Sequence, residues 1–339
     1  IPTVLAAFLI RPGISYSTLL VLAAVAGVGG GNFASSMANI NAFYPQRLKG
    51  WALGINAGGG NLGVAVAQLV GLLVLATAGA GHPRLVAGVY IPFIVLAALG
   101  AALYMDNLSQ ARNDKRALRD VCTDPHTWIM SVLYIGTFGS FIGYSFAFGQ
   151  VLQVQFAAEF DTPIKAAYLT FLGPLVGSLI RPVGGWAADQ LGGARVTFWN
   201  FVAMAAAATV VLLASLQSSL PLFICGFILL FVFAGVGNGS TYKMIPAIFR
   251  AKAELGVANG GDAVAAEHEA RRLAGALIGI AGAVGAFGGV LVNIAFRQSF
   301  LTYKTGDGAY VAFIAFYALC FVLTWLVYMR THARKLVGV

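Results

Sequence analysis

Charged side chains are scarce in this sequence. Only 10% of its 339 residues are Asp, Glu, Lys or Arg, whereas 59% are hydrophobic. Soluble globular domains carry about 25% charged residues. The shortage of charge excludes a soluble globular protein and predicts one that lies in a lipid bilayer.

Cysteines are also few, and acids and histidines are missing from the apolar runs. The three cysteines, Cys122, Cys225 and Cys320, have no paired spacing, which argues against a disulfide framework or a zinc site. All 12 acids and all 4 histidines fall in predicted loops or at helix ends. The predicted spans therefore hold no carboxylate or imidazole proton relay, no metal cluster and no Ser-His-Asp arrangement. We expect neither an enzyme nor a bound cofactor or metal.

Long apolar runs fill most of the chain. A helix needs about 20 apolar residues to cross a hydrocarbon core of about 30 Å, and without water the backbone groups of such a run must bond within a helix. The predicted spans lie near residues 17–43, 50–77, 86–105, 128–156, 165–188, 195–216, 220–249, 273–296 and 309–329. Residues 1–10 resemble the end of a further span.

The net charge of +9 is accounted for by the positions of the basic residues. If the predicted loops alternate between the two sides of a membrane, 14 Lys and Arg residues fall on one side and 5 on the other. Such an excess marks the cytoplasmic side. We therefore expect a multi-pass protein of the inner membrane with cytoplasmic basic loops and C-terminus, and no nucleic-acid partner.

The glycines reveal an internal repeat. "GVGGG" at 27–31 matches "GVGNG" at 235–239, and residues 47–63 match residues 272–288 at one offset through Arg-Leu-x-Gly, Gly-Ile and two further glycines. Duplicated helix sets are common in transporters. The order of the matched spans predicts an all-α membrane protein of two pseudo-symmetric six-helix bundles, of which this chain holds helices 3–12.

The repeat also predicts the domain boundaries. We expect an N-terminal bundle at 1–105, a basic cytoplasmic linker at 106–127, a C-terminal bundle at 128–329 and a cytoplasmic tail at 330–339. Residues 251–269 are expected to form a loop longer than its counterpart in the first half.

Small and amide side chains line one face of a predicted helix. Gly54, Gly58 and Asn61 share that face, and small residues let membrane helices approach closely. Asparagine is costly in hydrocarbon, so it should face the bundle interior and bind either a neighbouring helix or a polar substrate. We expect helix packing or gating contacts at Gly54, Gly58, Gly60, Gly279, Gly282 and Gly285.

Two cations lie inside predicted spans, Arg181 beside Pro182 and Lys243 nearer a span end. A charge at the bilayer centre costs at least about 2.5–3.5 kcal/mol and marks a functional site by default. Lys243 lies near the end of its span, so two interpretations stay open. Its ammonium either reaches the membrane interface or acts inside the protein. Tyr134 and Phe138 lie one turn apart, a spacing that is common among rings that pack in a core. Alternatively, rings around a guanidinium form a slot for a small planar anion.

Three segments resemble a known family. "GGGNFASSMANINAFYPQRLKGWALGINAGGGNLG" at 29–63 closely resembles the first nitrate signature, with the preceding helix, of the NarK-type nitrate/nitrite porters in the major facilitator superfamily. "GALIGIAGAVGAFGG" at 275–289 resembles the second signature more loosely. "GWAADQLGGAR", with Gly185, Asp189 and Arg195, is similar to the superfamily's G-x-x-x-D-x-x-G-x-x-R loop motif. The resemblance covers essentially the whole chain.

The resemblance implies roles for five side chains. Arg181 is similar to the central arginine that clamps the substrate, and Tyr134 and Phe138 match the aromatic pair that lines the site. Phe33 matches a ring on the fourth helix, and Asn61 matches the signature asparagine near the anion. The family's second arginine lies on its second helix, ahead of the first residue of this chain.

The resemblance therefore implies a monomeric transporter of nitrate and nitrite that works by alternating access in the lipid bilayer. We expect nitrate/nitrite antiport, because no proton carrier is visible in the spans. Proton-coupled nitrate symport is the alternative mechanism. A non-transporting anion sensor that uses residues 251–269 as a docking surface is the alternative from another class.

Overall fold

The computed structural model describes residues 1–105 and 115–330, which are almost entirely helical and contain no β-strand. Nine helical stretches in this part of the chain are long and apolar enough to cross a membrane. Each corresponds to one predicted span. The helices are α1 (Pro2–Leu9), α2 (Tyr16–Phe43), α3 (Lys49–Ala78), α4 (Arg84–Tyr104), α5 (Lys115–Cys122), α6 (Pro125–Tyr134), α7 (Ser140–Gln155), α8 (Pro163–Thr170), α9 (Leu172–Leu179), α10 (Arg181–Leu191), α11 (Gly193–Leu216), α12 (Leu220–Ala258), α13 (Ala263–Tyr303) and α14 (Asp307–Thr324).

Some of the spans are interrupted helices. One π-helical turn, Ile135–Gly139, joins α6 to α7, and another, Trp325–Met329, follows α14. The span made of α8, α9 and α10 breaks at Phe171 and again at Ile180. Proline donates no backbone hydrogen bond and its ring crowds the preceding turn, so Pro182 accounts for the second break. The break places Arg181 in the first turn of a new helix.

The predicted long loop at 251–269 is wrong. Helix α12 continues to Ala258 and α13 begins at Ala263, so only residues 259–262 form a turn. Asp262 caps α13 by accepting hydrogen bonds from the amides of Val264 and Ala265. The polar residues end the apolar run but remain good helix formers, and pairs one turn apart such as Arg250–Glu254 and Glu267–Arg271 support the helix.

The predicted linker is partly helical. Residues 106–114 lie outside the described part, but α5 forms directly after them and packs against α13. Arg272 of α13 binds Asp120 of α5 at 2.6 Å. The next span begins earlier than residue 128, because Asp124 caps α6 by accepting from the amide of His126. The tail at 331–339 also lies outside the described residues.

The two predicted halves meet along α3. Helix α3 packs against α9 and α10, while α2 contacts α13. The largest buried side chains are the rings of α6, α7, α11, α12 and α14, together with Arg181. This arrangement brings α2, α3, α10 and the α6–α7 junction around one interior position.

Candidate functional site

Arg181 is a fully buried cation inside an aromatic cluster. Its exposed fraction is 0%, and its guanidinium carbon lies 4.3 Å from the ring centre of Phe141 and 5.7 Å from that of Phe138. Cations within about 6 Å of a ring face are attracted by its electrons. The rings therefore stabilise the guanidinium while leaving its charge uncompensated.

Most of the Arg181 donors are unused. Nη1 donates to the carbonyl of Ala57 at 3.3 Å, but Nε and Nη2 have no hydrogen-bond partner within the structure described. None of the ion pairs found among those residues includes Arg181. A buried guanidinium with free donors is suited to an anionic ligand that accepts parallel N–H bonds.

Phe33, Tyr134 and Phe138 lie together, as the sequence predicts. The Phe33 ring stacks on Phe138 with centres 5.6 Å apart and planes 7° apart, and Tyr134 stacks on the same ring at 5.0 Å. Phe33 comes from α2 and the other two rings from the α6–α7 span. Phe138 thus connects the rings of Phe33 and Tyr134 to Arg181.

Three neighbouring residues were missed by the sequence analysis. Tyr242 packs its ring edge against Tyr134 with centres 4.6 Å apart, and Phe141 lies under Arg181 as described. Asn238 accepts a hydrogen bond from the Tyr134 hydroxyl at 2.7 Å, and its buried Nδ2 has no partner within 1–105 and 115–330. An amide in the middle of a span was the available signal for Asn238, whereas Phe141 and Tyr242 look like ordinary core rings.

Asn61 lies beside the site but its amide is engaged. Its Nδ2 donates to the Ala57 carbonyl at 2.8 Å, the same oxygen that Arg181 uses. Asn61 is buried, with an exposed fraction of 8%. The Ala57 carbonyl therefore links Asn61 to Arg181.

The six predicted packing glycines fall into two groups. A methyl group on Gly54 would lie 2.8 Å from the Arg181 carbonyl oxygen, and one on Gly58 would lie 2.6 Å from that of Ser178. A methyl on Gly285 would meet the ring of Tyr134, and one on Gly282 would lie 3.2 Å from the hydroxyl of Tyr242. By contrast, the described residues leave open space beside the remaining two, Gly60 and Gly279.

The loop motif joins α10 and α12, two helices of the predicted C-terminal half, to the start of α3. Asp189 accepts hydrogen bonds from the amides of Gly50 at 3.0 Å and Trp51 at 2.8 Å. Lys243 lies 2.5 Å from the same carboxylate and donates to the Gln46 carbonyl at 2.5 Å. Lys243 is therefore a buried ion-pair partner and does not reach for the interface. We name Asp189, Lys243 and the first turn of α3 the latch.

The other two motif residues differ in their surroundings. The backbone of Gly185 crosses that of Gly50 so closely that neither position has room for a methyl group. Arg195 is exposed at the start of α11. No group of three or more His, Cys, Asp or Glu side chains able to hold a metal ion occurs in the described residues.

Known proteins resemble most of this chain. The family model of the Major Facilitator Superfamily matches residues 1–261. The nitrate/nitrite transporter NarU of Salmonella typhimurium is 36% identical, over 96% of this chain and 73% of that protein. NarU of Escherichia coli is 37% identical, over 94% of this chain and 72% of its own length. The probable nitrate/nitrite antiporter NarK2 of Thermus thermophilus is 35% identical, over 95% of this chain and 73% of its own.

Solved structures share the fold at low sequence identity. The fucose:proton symporter FucP of E. coli superposes with a TM-score of 0.63 at 14% identity, over 96% of this chain and 81% of that one. The human organic anion transporter MFSD10 superposes with a TM-score of 0.59 at 14% identity, over 95% and 74%. These likenesses support the two-bundle helical architecture.

Proposed function

This chain belongs to the Major Facilitator Superfamily and, within it, to the family of nitrate/nitrite transporters, and we propose that it carries nitrate and nitrite across the inner membrane by alternating access. The observation that carries this proposal is the environment of Arg181. Its side chain is a fully buried guanidinium with two unpaired nitrogens among aromatic walls. No bond of the substrate is broken, so the protein is a carrier and not an enzyme.

The shape of the site favours a small planar anion. Nitrate is flat and nitrite is bent, so two oxygens of either ion can accept the parallel N–H bonds that a guanidinium offers. The Phe138 ring, with Phe33 and Tyr134 packed against it, would lie beside the ion held by Arg181. Asn238 Nδ2 supplies a further unpaired donor close to Tyr134.

Alternating access requires the two halves to rock, and the latch connects them. Residues 1–105 would form one moving body and residues 128–329 the other. In this conformation Asp189 and Lys243 hold the start of α3, so the halves are closed at the end of the molecule where the basic loops lie. We assign that end to the cytoplasm because of the excess of Lys and Arg on its loops.

The charge of the site favours exchange over proton symport. A buried arginine without an anion is costly, so an empty carrier would reorient slowly and a loaded one would reorient faster. None of the nine helical spans described holds a buried Asp, Glu or His beside Arg181. The E. coli and Salmonella relatives are named nitrate/nitrite transporters and the Thermus relative a probable antiporter, which supports the same conclusion.

Proteoliposomes test this function. We expect uptake of labelled nitrate by vesicles that contain nitrite and little uptake by empty vesicles. Uptake into empty vesicles that follows an inward proton gradient would replace antiport by symport. Nitrate binding without uptake in either case would favour the sensor. The lipid composition and protein density are kept equal in all vesicles. Separately, we expect the active unit to be a monomer.

A further inference from the structure

A cavity at the latch end of the molecule is separate from the Arg181 site. It has a volume of about 500 Å³, which is within the range of about 300–1,000 Å³ typical of small-molecule sites. One wall is the turn between α2 and α3, and the opposite wall is the α12–α13 hairpin. The cavity therefore lies between the two halves.

Lys49 is a buried cation on the wall of this cavity. Its exposed fraction is 9%, and it forms no hydrogen bond or ion pair with the residues described. Burial disfavours its charge most, the positive charges of Arg271, Lys243 and Arg250 add to this effect, and Glu267 favours the charge. Glu267 is already paired with Arg271 at 2.5 Å. Among the residues described, Lys49 is therefore the cation of the cavity without an ion-pair partner.

The two arginines of the cavity are held along their own helices. Arg250 binds Glu254 at 2.8 Å on α12, and Arg271 binds Glu267 on α13. Both pairs are exposed, and exposed pairs one turn apart contribute little energy. Either guanidinium can therefore turn toward a stronger anion in the cavity without a large cost.

Asn41 supplies a second, independent observation. It lines the same cavity with an exposed fraction of only 5%, and its Oδ1 has no hydrogen-bond partner in the part of the chain that is described. A buried amide oxygen without a donor costs about 1–3 kcal/mol. The ligand that completes this cavity should therefore bring a donor as well as negative charge.

From these contacts we propose that the cavity binds a phosphate group that keeps a hydroxyl. Lys49 would neutralise a phosphate oxygen, Arg271 or Arg250 would bind another, and the P–OH would donate to Asn41 Oδ1. Nitrate, nitrite and sulfate carry no proton at neutral pH, so they cannot satisfy Asn41 as a donor. The two possible sources are phosphate in solution, free or as the monoester of a small molecule, and the monoester headgroup of phosphatidic acid, because the phosphodiester headgroups of other anionic lipids carry no P–OH.

A ligand in this cavity would change how readily the two halves close at the latch end. It would contact Lys49 and Asn41 in the first half and Arg271 in the second, so it binds more tightly when the halves are closed there. By linkage, the bound phosphate favours that closed conformation. Phosphate on the latch side should then slow nitrate exchange; this consequence rests on the proposed function, whereas the binding itself does not.

Binding of radiolabelled inorganic phosphate to the purified protein in detergent tests the site directly. We expect saturable binding that Lys49→Met weakens about tenfold or more, as expected for loss of a charge-assisted hydrogen bond. Asn41→Leu should weaken it as well, and Lys49→Arg should retain it. Lys304→Met, which removes an exposed lysine from another loop, is the matched control.

Several outcomes would overturn the assignment. Binding that Lys49→Met and Asn41→Leu leave unchanged would place the phosphate elsewhere, and equal binding of sulfate or nitrate would show that no donor is needed. Absence of phosphate binding overturns the proposal unless nanodiscs show that phosphatidic acid, a monoester, is retained in a Lys49-dependent manner and in preference to phosphatidylglycerol, a diester without a P–OH. If Lys49→Met fails to fold, Asn41→Leu gives the answer. A protein that binds phosphate but moves no nitrate would separate this site from the proposed function.

Discussion

The ammonium of Lys243 lies 2.5 Å from a carboxylate oxygen of Asp189, and both side chains are almost fully buried. Their helices, α12 and α10, belong to the predicted C-terminal half, and the same carboxylate binds the first amides of α3 in the predicted N-terminal half. A carboxylate at a helix N-terminus also interacts favourably with the helix dipole. One buried carboxylate therefore joins the two halves.

Lys243→Met should lower stability more than a surface substitution does. Removing one partner of a buried ion pair costs about 3–5 kcal/mol, whereas replacing both partners is often nearly neutral. We expect the single variant to melt at a lower temperature in detergent, and Lys243→Met combined with Asp189→Asn to recover part of the loss. Lys304→Met serves as the control. Equal melting temperatures for the single and double variants would contradict a coupled pair.

Arg181→Lys should abolish most nitrate transport although it keeps the positive charge. A lysine ammonium cannot offer two parallel N–H donors to one anion, and loss of one charge-assisted bond corresponds to at least about a tenfold weaker affinity. Nitrate uptake by proteoliposomes measures the effect. Arg297→Lys, at an exposed position, should transport normally. Near-normal transport by Arg181→Lys would refute the clamp.

Tyr134→Phe should weaken nitrate binding without removing the aromatic wall. The ring remains, but the 2.7 Å hydrogen bond from its hydroxyl to Asn238 is lost. A buried acceptor left without its donor costs about 1–3 kcal/mol, and the freed amide can turn away from the site. We expect a raised nitrate dissociation constant in binding assays. Tyr303→Phe, with an exposed ring, should bind nitrate unchanged.

The packing glycines should separate into sensitive and tolerant positions. Gly58→Ala would place a methyl group 2.6 Å from the Ser178 carbonyl, so α3 must move away from α9. Overpacking of this kind costs about 1–3 kcal/mol, and we expect reduced transport and a lower melting temperature. Gly60→Ala, two residues along the same helix, has open space beside it among the described residues. Equal effects of the two substitutions would show that the close contact is unimportant.

The sequence predicted the spans and the importance of Arg181 by local rules, whereas Phe33, Tyr134 and Phe138 were assigned to its surroundings through the family resemblance. Apolar length sets the spans, and the cost of a buried charge singles out Arg181. The end of α12 was missed because hydropathy marks where a helix leaves the membrane, not where it ends. The role of Lys243 was missed because its partner, Asp189, lies in a different helix and is visible as a neighbour only in three dimensions.

Helices α12 and α13 have 39 and 41 residues, so at about 1.5 Å per residue each is roughly 60 Å long. A hydrocarbon core of about 30 Å covers only half of that length. The remainder is a stiff rod fixed to one half, and a small rotation at the bilayer centre becomes a large displacement at its tip. Distances between spin labels near residue 260 and near Arg47 should therefore differ strongly between the conformations that open and close this end.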